Sequence, residues 1–85
     1  MKITYTKRFE KKFDEMPRKI QEKFEGKMEI FTKNQSDPVL KSHPLKGNLI
    51  GLRAFSVIGD YRVFYQIMGA SEIKLVNIGT HNQVY

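Results

Sequence analysis

Cysteine and tryptophan are both missing from this sequence of 85 residues. The lack of cysteine excludes disulfide cross-links, thiolate metal sites and thiol nucleophiles. No apolar run approaches the roughly 20 residues that span a bilayer, and no signal-peptide pattern opens the chain, so we expect a cytoplasmic protein without membrane association. Because so short a chain cannot build two hydrophobic cores, the sequence predicts a single domain over residues 1–85.

Acidic residues are absent from the stretch between Pro38 and Gly59, whereas the first 37 residues mix both signs of charge. The chain as a whole carries 15 basic and 9 acidic residues, a formal net charge of +6. A basic stretch without carboxylates attracts phosphate without internal competition, which favours a nucleic-acid partner. Basic residues that merely keep the protein soluble are the alternative. The basic side chains of this stretch are Lys41, His43, Lys46 and Arg53.

The hydrophobic pattern divides the chain into a helical half and a strand half. Apolar residues recur at spacings of three and four from Phe9 to Phe31, with a break at Pro17 that separates two helices. Thr6 is placed to cap the first helix, and a short strand precedes it. Residues 52–58, 61–68 and 73–78 are rich in β-branched and aromatic side chains, which predicts three strands. The predicted fold is α+β in the order β-α-α-β-β-β, a small antiparallel sheet with an αα-hairpin packed on one face.

The dipeptide Gly59-Asp60 fits a two-residue hairpin turn, which allows the strand register to be predicted. The predicted pairs are Ile58 with Tyr61, Val57 with Arg62, and Phe55 with Phe64. Because side chains alternate between faces, Arg53, Phe55 and Arg62 would share the face that points away from the helices. Arginines beside aromatic rings suit an RNA phosphate and an unstacked base. An ordinary solvated sheet face with rim arginines is the alternative.

Two histidines lie near this basic region in the sequence. His43 belongs to the basic loop, and His81 follows the last predicted strand. Either residue alone is more often a surface or packing residue than a catalyst. Two imidazoles in a cation-rich site could nevertheless cleave RNA without a metal, because one can accept the 2′-OH proton while the other protonates the leaving 5′-oxygen.

Several segments of the second half resemble the RelE/ParE superfamily of bacterial type II toxins, and most closely its YafQ-like RelE branch. The segments are His43-Pro44-Leu45-Lys46-Gly47, Gly51-Leu52-Arg53, Gly59-Asp60-Tyr61-Arg62-Val63-Phe64-Tyr65, and Ile78-Gly79-Thr80-His81 through Tyr85. The resemblance implies an mRNA interferase, an endoribonuclease that cleaves mRNA on the ribosome without a cofactor or metal. It also implies contacts with ribosomal RNA and a cognate antitoxin protein that inhibits the toxin.

The same resemblance assigns roles to individual residues. His43, Asp60 and His81 match positions implicated in catalysis in YafQ-like chains, and Tyr85 matches a terminal aromatic residue. Arg62 matches an arginine of the RelE pattern.

Other positions depart from the pattern or match it only by charge. Arg53 aligns with an active-site lysine of RelE, Ser56 replaces a histidine of the YafQ-like pattern, and Phe55 replaces a second RelE lysine. We expect Arg62 and Arg53 to hold the scissile phosphate, Phe55 to lie at the RNA-binding face, and Lys41 and Lys46 to attract RNA.

Three other functions agree with part of the sequence. A ParE-like relative would inhibit gyrase without cleaving RNA, although such proteins generally lack the paired histidines. A non-catalytic RNA-binding module would use the same basic face. A small protein-interaction domain would leave the acid-free basic stretch unexplained.

Overall fold

The computed structural model describes residues 1–80, which form two helices and a five-stranded sheet. The elements are β1 (Lys2–Tyr5), α1 (Lys7–Asp14), α2 (Arg18–Lys33), β2 (His43–Pro44), β3 (Arg53–Ile58), β4 (Tyr61–Gly69) and β5 (Glu72–Thr80). Short 3₁₀ turns at Pro38–Leu40 and Gly47–Leu49 lie on either side of β2. The α+β order predicted from the sequence is confirmed, with β2 as an additional two-residue strand. Neither of the two helices is long and apolar enough to span a membrane.

The sheet is mixed rather than wholly antiparallel. Its strand order is β1-β5-β4-β3-β2, so β1 and β2 form the two edges. β1 pairs with β5 in parallel, from Lys2 opposite Glu72 to Tyr5 opposite Leu75. The apolar alternation of β1 predicted a strand but could not predict its direction, because the partner strand lies about 70 residues away in the sequence.

The two helices begin where the sequence places their starting signals. The Thr6 hydroxyl accepts a hydrogen bond from the backbone N–H of Phe9 at 3.0 Å and caps α1. Pro17 occupies the N-cap position of α2, directly before Arg18. The predicted aromatic stripe is core, since Phe9, Phe24 and Phe31 are all buried.

The two faces of the sheet carry separate apolar clusters. The face on which α1 and α2 pack, here called the helix face, holds the main core, to which Phe55, Val57, Val63 and Tyr65 belong. The opposite face, here called the open face, carries a smaller cluster. That cluster consists of Leu45, Ala54 and Phe64, with Leu49 and Leu52 packed against it. The loop after β2 therefore covers part of the open face, and a bare sheet surface is not present there.

A β-bulge changes the register that the sequence predicted for the β3–β4 hairpin. Ile58 does pair with Tyr61, and Gly59 has the positive φ (56°) that a tight hairpin turn requires. The next pair, however, is Ser56 with Arg62, so that Val57 is the extra residue. The pairs predicted for Val57 and Phe55 are therefore wrong. The pairs beyond the bulge are Phe55 with Val63, Ala54 with Phe64, and Arg53 with Tyr65.

Candidate functional site

The bulge separates the two arginines that were predicted to share a face. Arg62 pairs with Ser56, and both lie between residues of the main core along their strands, so their side chains belong to the open face. Arg53 pairs with Tyr65, which belongs to the main core, and so lies on the helix face. The prediction of one surface with both arginines is wrong, because a one-residue shift moves every side chain of a strand to the other face.

Phe55 is moved to the helix face by the same bulge. Its side chain is completely buried, and its ring lies 5.1 Å from the ring of Phe31 on α2. A ring in this position is inaccessible to a nucleotide base. The predicted role of Phe55 at an RNA-binding face is therefore wrong, and the residue is part of the core.

Arg53 belongs to a polar network at the edge of the helix face. Its Nε donates to the Tyr65 hydroxyl at 3.2 Å, and that hydroxyl lies 2.5 Å from the Ser42 hydroxyl. The Nη2 of Arg53 approaches Ser42 Oγ at 3.5 Å. These groups and Lys41 line a polar cavity of about 360 Å³. The Tyr65 ring is buried, so the network provides hydrogen-bond partners for a hydroxyl that would otherwise be costly to bury.

The sequence did not indicate the roles of Ser42 and Tyr65. In the register predicted from the turn, Arg53 and Tyr65 lie on opposite faces, and the contact between them exists because of the bulge. No local pattern in residues 53–58 distinguishes a bulged strand from a regular one.

Arg62 is held against the turn that joins β3 and β4. Its Nη1 donates to the carbonyl of Gly59 at 2.7 Å and to that of Tyr61 at 3.2 Å. Within residues 1–80, Nε and Nη2 of this guanidinium make no hydrogen bond, so both can donate to an anion. Asp60 is exposed in the same turn. The turn thus holds the Arg62 guanidinium through its carbonyl oxygens and also carries the exposed Asp60.

The last strand brings the end of the described chain to this turn. Arg62 lies opposite Gly79, and Tyr61 lies opposite Thr80. Gly79 has no side chain, so the Arg62 side chain meets no bulky residue from β5 at that position. His81 and Tyr85 lie outside the described residues, and their predicted roles stay predictions.

His43 lies on the edge strand β2, on the same face as Arg62. It pairs with Ala54, an open-face residue, and its side chain is exposed. Diagonal neighbours on adjacent strands lie about 7–8 Å apart, which places His43 at that Cα distance from Ser56, the partner of Arg62. The open face therefore combines His43, Ser56 and Arg62.

One ring nitrogen of His43 is engaged by the backbone. Nδ1 lies 3.0 Å from the carbonyl oxygen of Lys41. Because a carbonyl oxygen only accepts hydrogen bonds, Nδ1 must carry the proton when this bond forms. The neutral ring then has its lone pair on Nε2, the nitrogen that is placed to accept a proton.

The two lysines predicted to attract RNA lie at different places. Lys41 adopts the left-handed conformation (φ 51°) after the first 3₁₀ turn and faces the Arg53 cavity. Lys46 is exposed at the start of the second 3₁₀ turn, on the loop that follows β2. Lys46 and His43 thus belong to one loop region, whereas Lys41 accompanies Arg53.

A metal site is not visible in the part of the chain that the structure covers. Nowhere in residues 1–80 do three histidine, aspartate or glutamate side chains converge. The open face and the adjacent turn carry imidazole, guanidinium, hydroxyl and carboxylate groups, from His43, Arg62, Ser56 and Asp60.

Sequence comparison matches the entire chain to one family model. Residues 1–85 match the model described as the bacterial toxin of type II toxin-antitoxin systems, YafQ. No curated protein sequence matches the chain.

Structural comparison finds the same architecture in several toxins. YafQ from Escherichia coli strain BL21(DE3) superposes with a TM-score of 0.83 at 22% identity, over 98% of this chain and 96% of that chain. A YoeB/ParE toxin from Agrobacterium tumefaciens gives 0.80 at 18% identity, over 95% and 99% of the two chains. The E. coli DinJ-YafQ toxin-antitoxin complex gives 0.80 at 23% identity, over 98% and 94%.

Proposed function

The chain belongs to the YafQ family of bacterial toxins of type II toxin-antitoxin systems, and from that premise we propose that it is an mRNA interferase that cleaves mRNA on the ribosome. The observation that carries the proposal is the open face, where His43 on β2 and Arg62 on β4 lie on either side of β3 and the chain leads through Thr80 to His81. Ribosomes lie in the cytoplasm, so we propose that the protein acts there.

The proposed reaction is a transesterification, in which the phosphoryl group of the scissile phosphodiester moves from the 5′-oxygen to the adjacent 2′-oxygen. The 2′-oxygen forms a new bond to phosphorus and the bond to the 5′-oxygen breaks, which leaves a 2′,3′-cyclic phosphate and a 5′-hydroxyl. The 2′-OH proton passes to a base, and the departing 5′-oxygen receives a proton from an acid. The net proton count is unchanged.

His43 is the proposed base and His81 the proposed acid. The bond from Nδ1 to the Lys41 carbonyl supports this assignment for His43, because it places the lone pair of the neutral ring on Nε2 of an exposed side chain. His81 is the other imidazole of the chain and directly follows Thr80, which pairs with the turn residue Tyr61.

Arg62 is proposed to stabilise the charge that develops on the phosphate. Its Nε and Nη2 can form a two-pronged contact with phosphate oxygens while Nη1 stays on the turn carbonyls. Asp60 would orient an imidazole or a nucleotide from the same turn, and Tyr85 would stack on a base. Lys46 would attract the RNA backbone near His43.

Arg53 and Lys41 have a different proposed role from the one expected from the sequence. Since both line the polar cavity on the helix face, they are not placed to hold the same phosphate as Arg62. We assign them to attraction of ribosomal RNA outside the reacting bond.

A cognate antitoxin is the proposed protein partner. The support is the E. coli DinJ-YafQ toxin-antitoxin complex, whose toxin shares this fold.

Primer extension on a translated mRNA after induction of the protein tests the activity. We expect discrete breaks inside codons for the wild type. His81→Ala should reduce cleavage by about 10²–10⁴-fold, because that is the usual contribution of a proton-transferring imidazole. Asn48→Ala, an exposed change in the loop that follows β2, serves as the control at equal expression and should cleave like the wild type.

Two outcomes would contradict the proposal. Intact mRNA together with damaged DNA would favour inhibition of gyrase, and intact mRNA with retained ribosome binding would favour a non-catalytic RNA-binding module. If His81→Ala cleaves as fast as the wild type, His81 is not the acid.

A further inference from the structure

The strand that carries His43 gives its ring little support of its own. β2 consists of His43 and Pro44 only, and as an edge strand it pairs with β3 alone. Pro44 has no backbone N–H to donate to that pairing. The His43 side chain is exposed, so the main core does not pack around it. A ring that accepts a proton from one direction must therefore be held by the residues beside it.

The carbonyl that binds the His43 ring belongs to an unusual backbone segment. Nδ1 of His43 lies 3.0 Å from the Lys41 carbonyl oxygen. Lys41 has a left-handed backbone (φ 51°, ψ 38°), and its N–H donates to the Pro38 carbonyl at 3.1 Å. A left-handed conformation is unfavourable for a residue with a side chain, and it persists where neighbouring contacts enforce it. The direction of the Lys41 carbonyl thus depends on what holds the next residue.

Ser42 supplies that contact and connects the segment to the core. The Lys41 carbonyl is part of the planar peptide bond between Lys41 and Ser42, so the position of Ser42 fixes the plane of that carbonyl. Ser42 Oγ lies 2.5 Å from the Tyr65 hydroxyl, and Arg53 Nη2 approaches it at 3.5 Å. The Tyr65 side chain is only 1% exposed and belongs to the main core. Ser42 therefore joins an exposed loop to one of the most enclosed side chains of the sheet.

These contacts form a continuous path from the core to the imidazole. The path runs from the Tyr65 hydroxyl to the Ser42 hydroxyl, through the peptide of Lys41 and Ser42, and on to Nδ1 of His43. We propose that Ser42 is a positioning residue, which holds the His43 ring in the orientation and tautomer that a general base requires. The inference rests on the proposed function for His43 being the base, and on the network itself for the orientation and tautomer of the ring.

Ser42 acts from the other side of the sheet and does not touch the reacting bond. It lines the polar cavity on the helix face, whereas His43 lies on the open face. A network that only stabilised the fold would lower the free energy of unfolding when Ser42 is changed. It would leave the tautomer of His43 and the cleavage rate of the folded protein as they are. The two roles therefore differ at the imidazole ring.

Nitrogen NMR of the full-length protein reads the tautomer directly. With ¹⁵N-labelled histidine and a neutral ring, a nitrogen that carries a proton and one that carries a lone pair have well-separated chemical shifts. The wild type should show a protonated Nδ1 and an unprotonated Nε2 for His43, with His43→Gln used to assign the signals. In Ser42→Ala the two signals should move toward each other, because the ring then exchanges between both tautomers.

Ser36→Ala is the matched control for this change. Ser36 is exposed and lines the same polar cavity, but its side chain is not part of the path to His43. Its replacement should leave both ring signals where they are in the wild type. Urea denaturation of each variant would confirm that the spectra are recorded on folded protein.

Cleavage kinetics show whether the position of the ring matters for the reaction. Ser42→Ala should lower the single-turnover rate on translating ribosomes by about 10- to 100-fold, the loss expected when a reacting group is displaced by about 1 Å. Ribosome binding should stay within about twofold, because the contacts with RNA are unchanged. In a His43→Gln background the same change should alter the residual rate by less than about twofold, since Ser42 acts through the ring.

Tyr65→Phe removes the hydroxyl at the other end of the bond to Ser42. It should move the His43 signals in the same direction as Ser42→Ala. The double variant should cleave within about twofold of the slower single variant, because both changes break one path. Rate losses that multiply in the double variant would mean that the two hydroxyls act independently, and would overturn the proposal.

The other contrary results are equally specific. Unchanged ring signals in Ser42→Ala, or equal shifts in Ser36→Ala, exclude the positioning role. A full loss of rate by Ser42→Ala in the His43→Gln background places its action elsewhere. If the wild type cleaves mRNA and Ser42→Ala cleaves as fast, the positioning role fails while the proposed function stands. If the wild type does not cleave mRNA, the proposed function fails, and the ring signals still decide whether Ser42 positions His43.

Discussion

At the scale of single residues, Arg62 shows how a charged side chain is fixed before any ligand binds. Two carbonyl oxygens of the β3–β4 turn accept hydrogen bonds from its Nη1, at 2.7 and 3.2 Å. The planar guanidinium can therefore bind the turn through one nitrogen and an anion through the other two. Lysine has a single ammonium group and cannot divide its donors in this way.

Replacement of Arg62 by lysine is expected to reduce mRNA cleavage by more than tenfold, although the charge is kept. The reason is loss of the two-pronged phosphate contact, which should lower the rate more than the binding of RNA. Single-turnover cleavage and RNA binding would be measured on the same preparation. A cleavage rate within about twofold of wild type would limit Arg62 to long-range electrostatic attraction.

Tyr65 is the second residue whose environment only the structure revealed. Its ring contacts Phe31 and Phe55, while its hydroxyl contacts Ser42 and Arg53. Tyr65→Phe keeps the ring but leaves the Ser42 and Arg53 donors without this partner. We expect the free energy of unfolding to fall by about 1 kcal/mol, since a hydrogen bond of this kind contributes about that amount.

Urea denaturation would measure this change, with Tyr5→Phe as the control. Tyr5 is half-exposed on β1, and its ring contacts Phe9. Removal of the Tyr5 hydroxyl should change the free energy of unfolding by less than about 0.5 kcal/mol, as for most surface substitutions. Equal effects of the two variants would show that the Tyr65 network does not stabilise the fold.

At the scale of elements, the bulge in β3 decides which aromatic residues belong to the core. Ser56 and Ile58 pair with consecutive residues of β4, so Val57 is accommodated as an extra residue. The bulge turns Phe55 and Val57 toward the helices and gives the open face Ala54 and Ser56. As a result, β3 presents small side chains rather than large apolar ones on the open face.

Phe55 is accordingly expected to matter for stability rather than for RNA binding. Phe55→Ala should lower the free energy of unfolding by about 3–5 kcal/mol, because a buried ring is lost and a cavity is left beside Phe31. Phe55→Leu should cost less, since most of the volume is kept. Thermal unfolding would be measured for both variants. RNA binding would then be measured at a temperature where each variant is folded.

A direct RNA-contacting role for Phe55 makes the opposite prediction. It requires weaker RNA binding in Phe55→Leu together with an unchanged free energy of unfolding.

At the scale of the whole molecule, the acid-free stretch from Pro38 to Gly59 differs from the helical half, which carries charges of both signs. This stretch supplies the loop region of His43 and Lys46, while its other two basic residues, Lys41 and Arg53, line the polar cavity on the helix face. The loop region would attract the phosphates of RNA without competition from carboxylates of the same stretch.

The affinity for single-stranded RNA should consequently fall with rising salt. The logarithm of the binding constant is expected to decrease linearly with the logarithm of salt concentration, by about 0.7 for each phosphate neutralised. Lys46→Gln should reduce that slope by about 0.7, if its ammonium group binds one phosphate. Lys11→Gln, an exposed change on α1, should leave the slope unchanged, and an equal change in both variants would exclude a local role for Lys46.

The sequence by itself determined the two helices, the four longer strands and their order. The helical spacing of Phe9, Phe24 and Phe31, the cap at Thr6 and the turn at Gly59 are all local signals, and each is confirmed. These signals are readable because periodicity and turn chemistry depend on residues within a few positions of one another. The family resemblance, likewise carried by short motifs, is confirmed by the family match over residues 1–85.

Only the tertiary structure decided the faces and the partners of the strands. The parallel pairing of β1 with β5 joins residues about 70 positions apart, and the bulge at Val57 moves Arg53 and Phe55 away from Arg62. Both features depend on which non-local packing buries the most apolar surface, a comparison that no local pattern contains. Because one extra residue reverses the orientation of every side chain before it, the turn predicted β4 correctly and assigned β3 to the wrong faces.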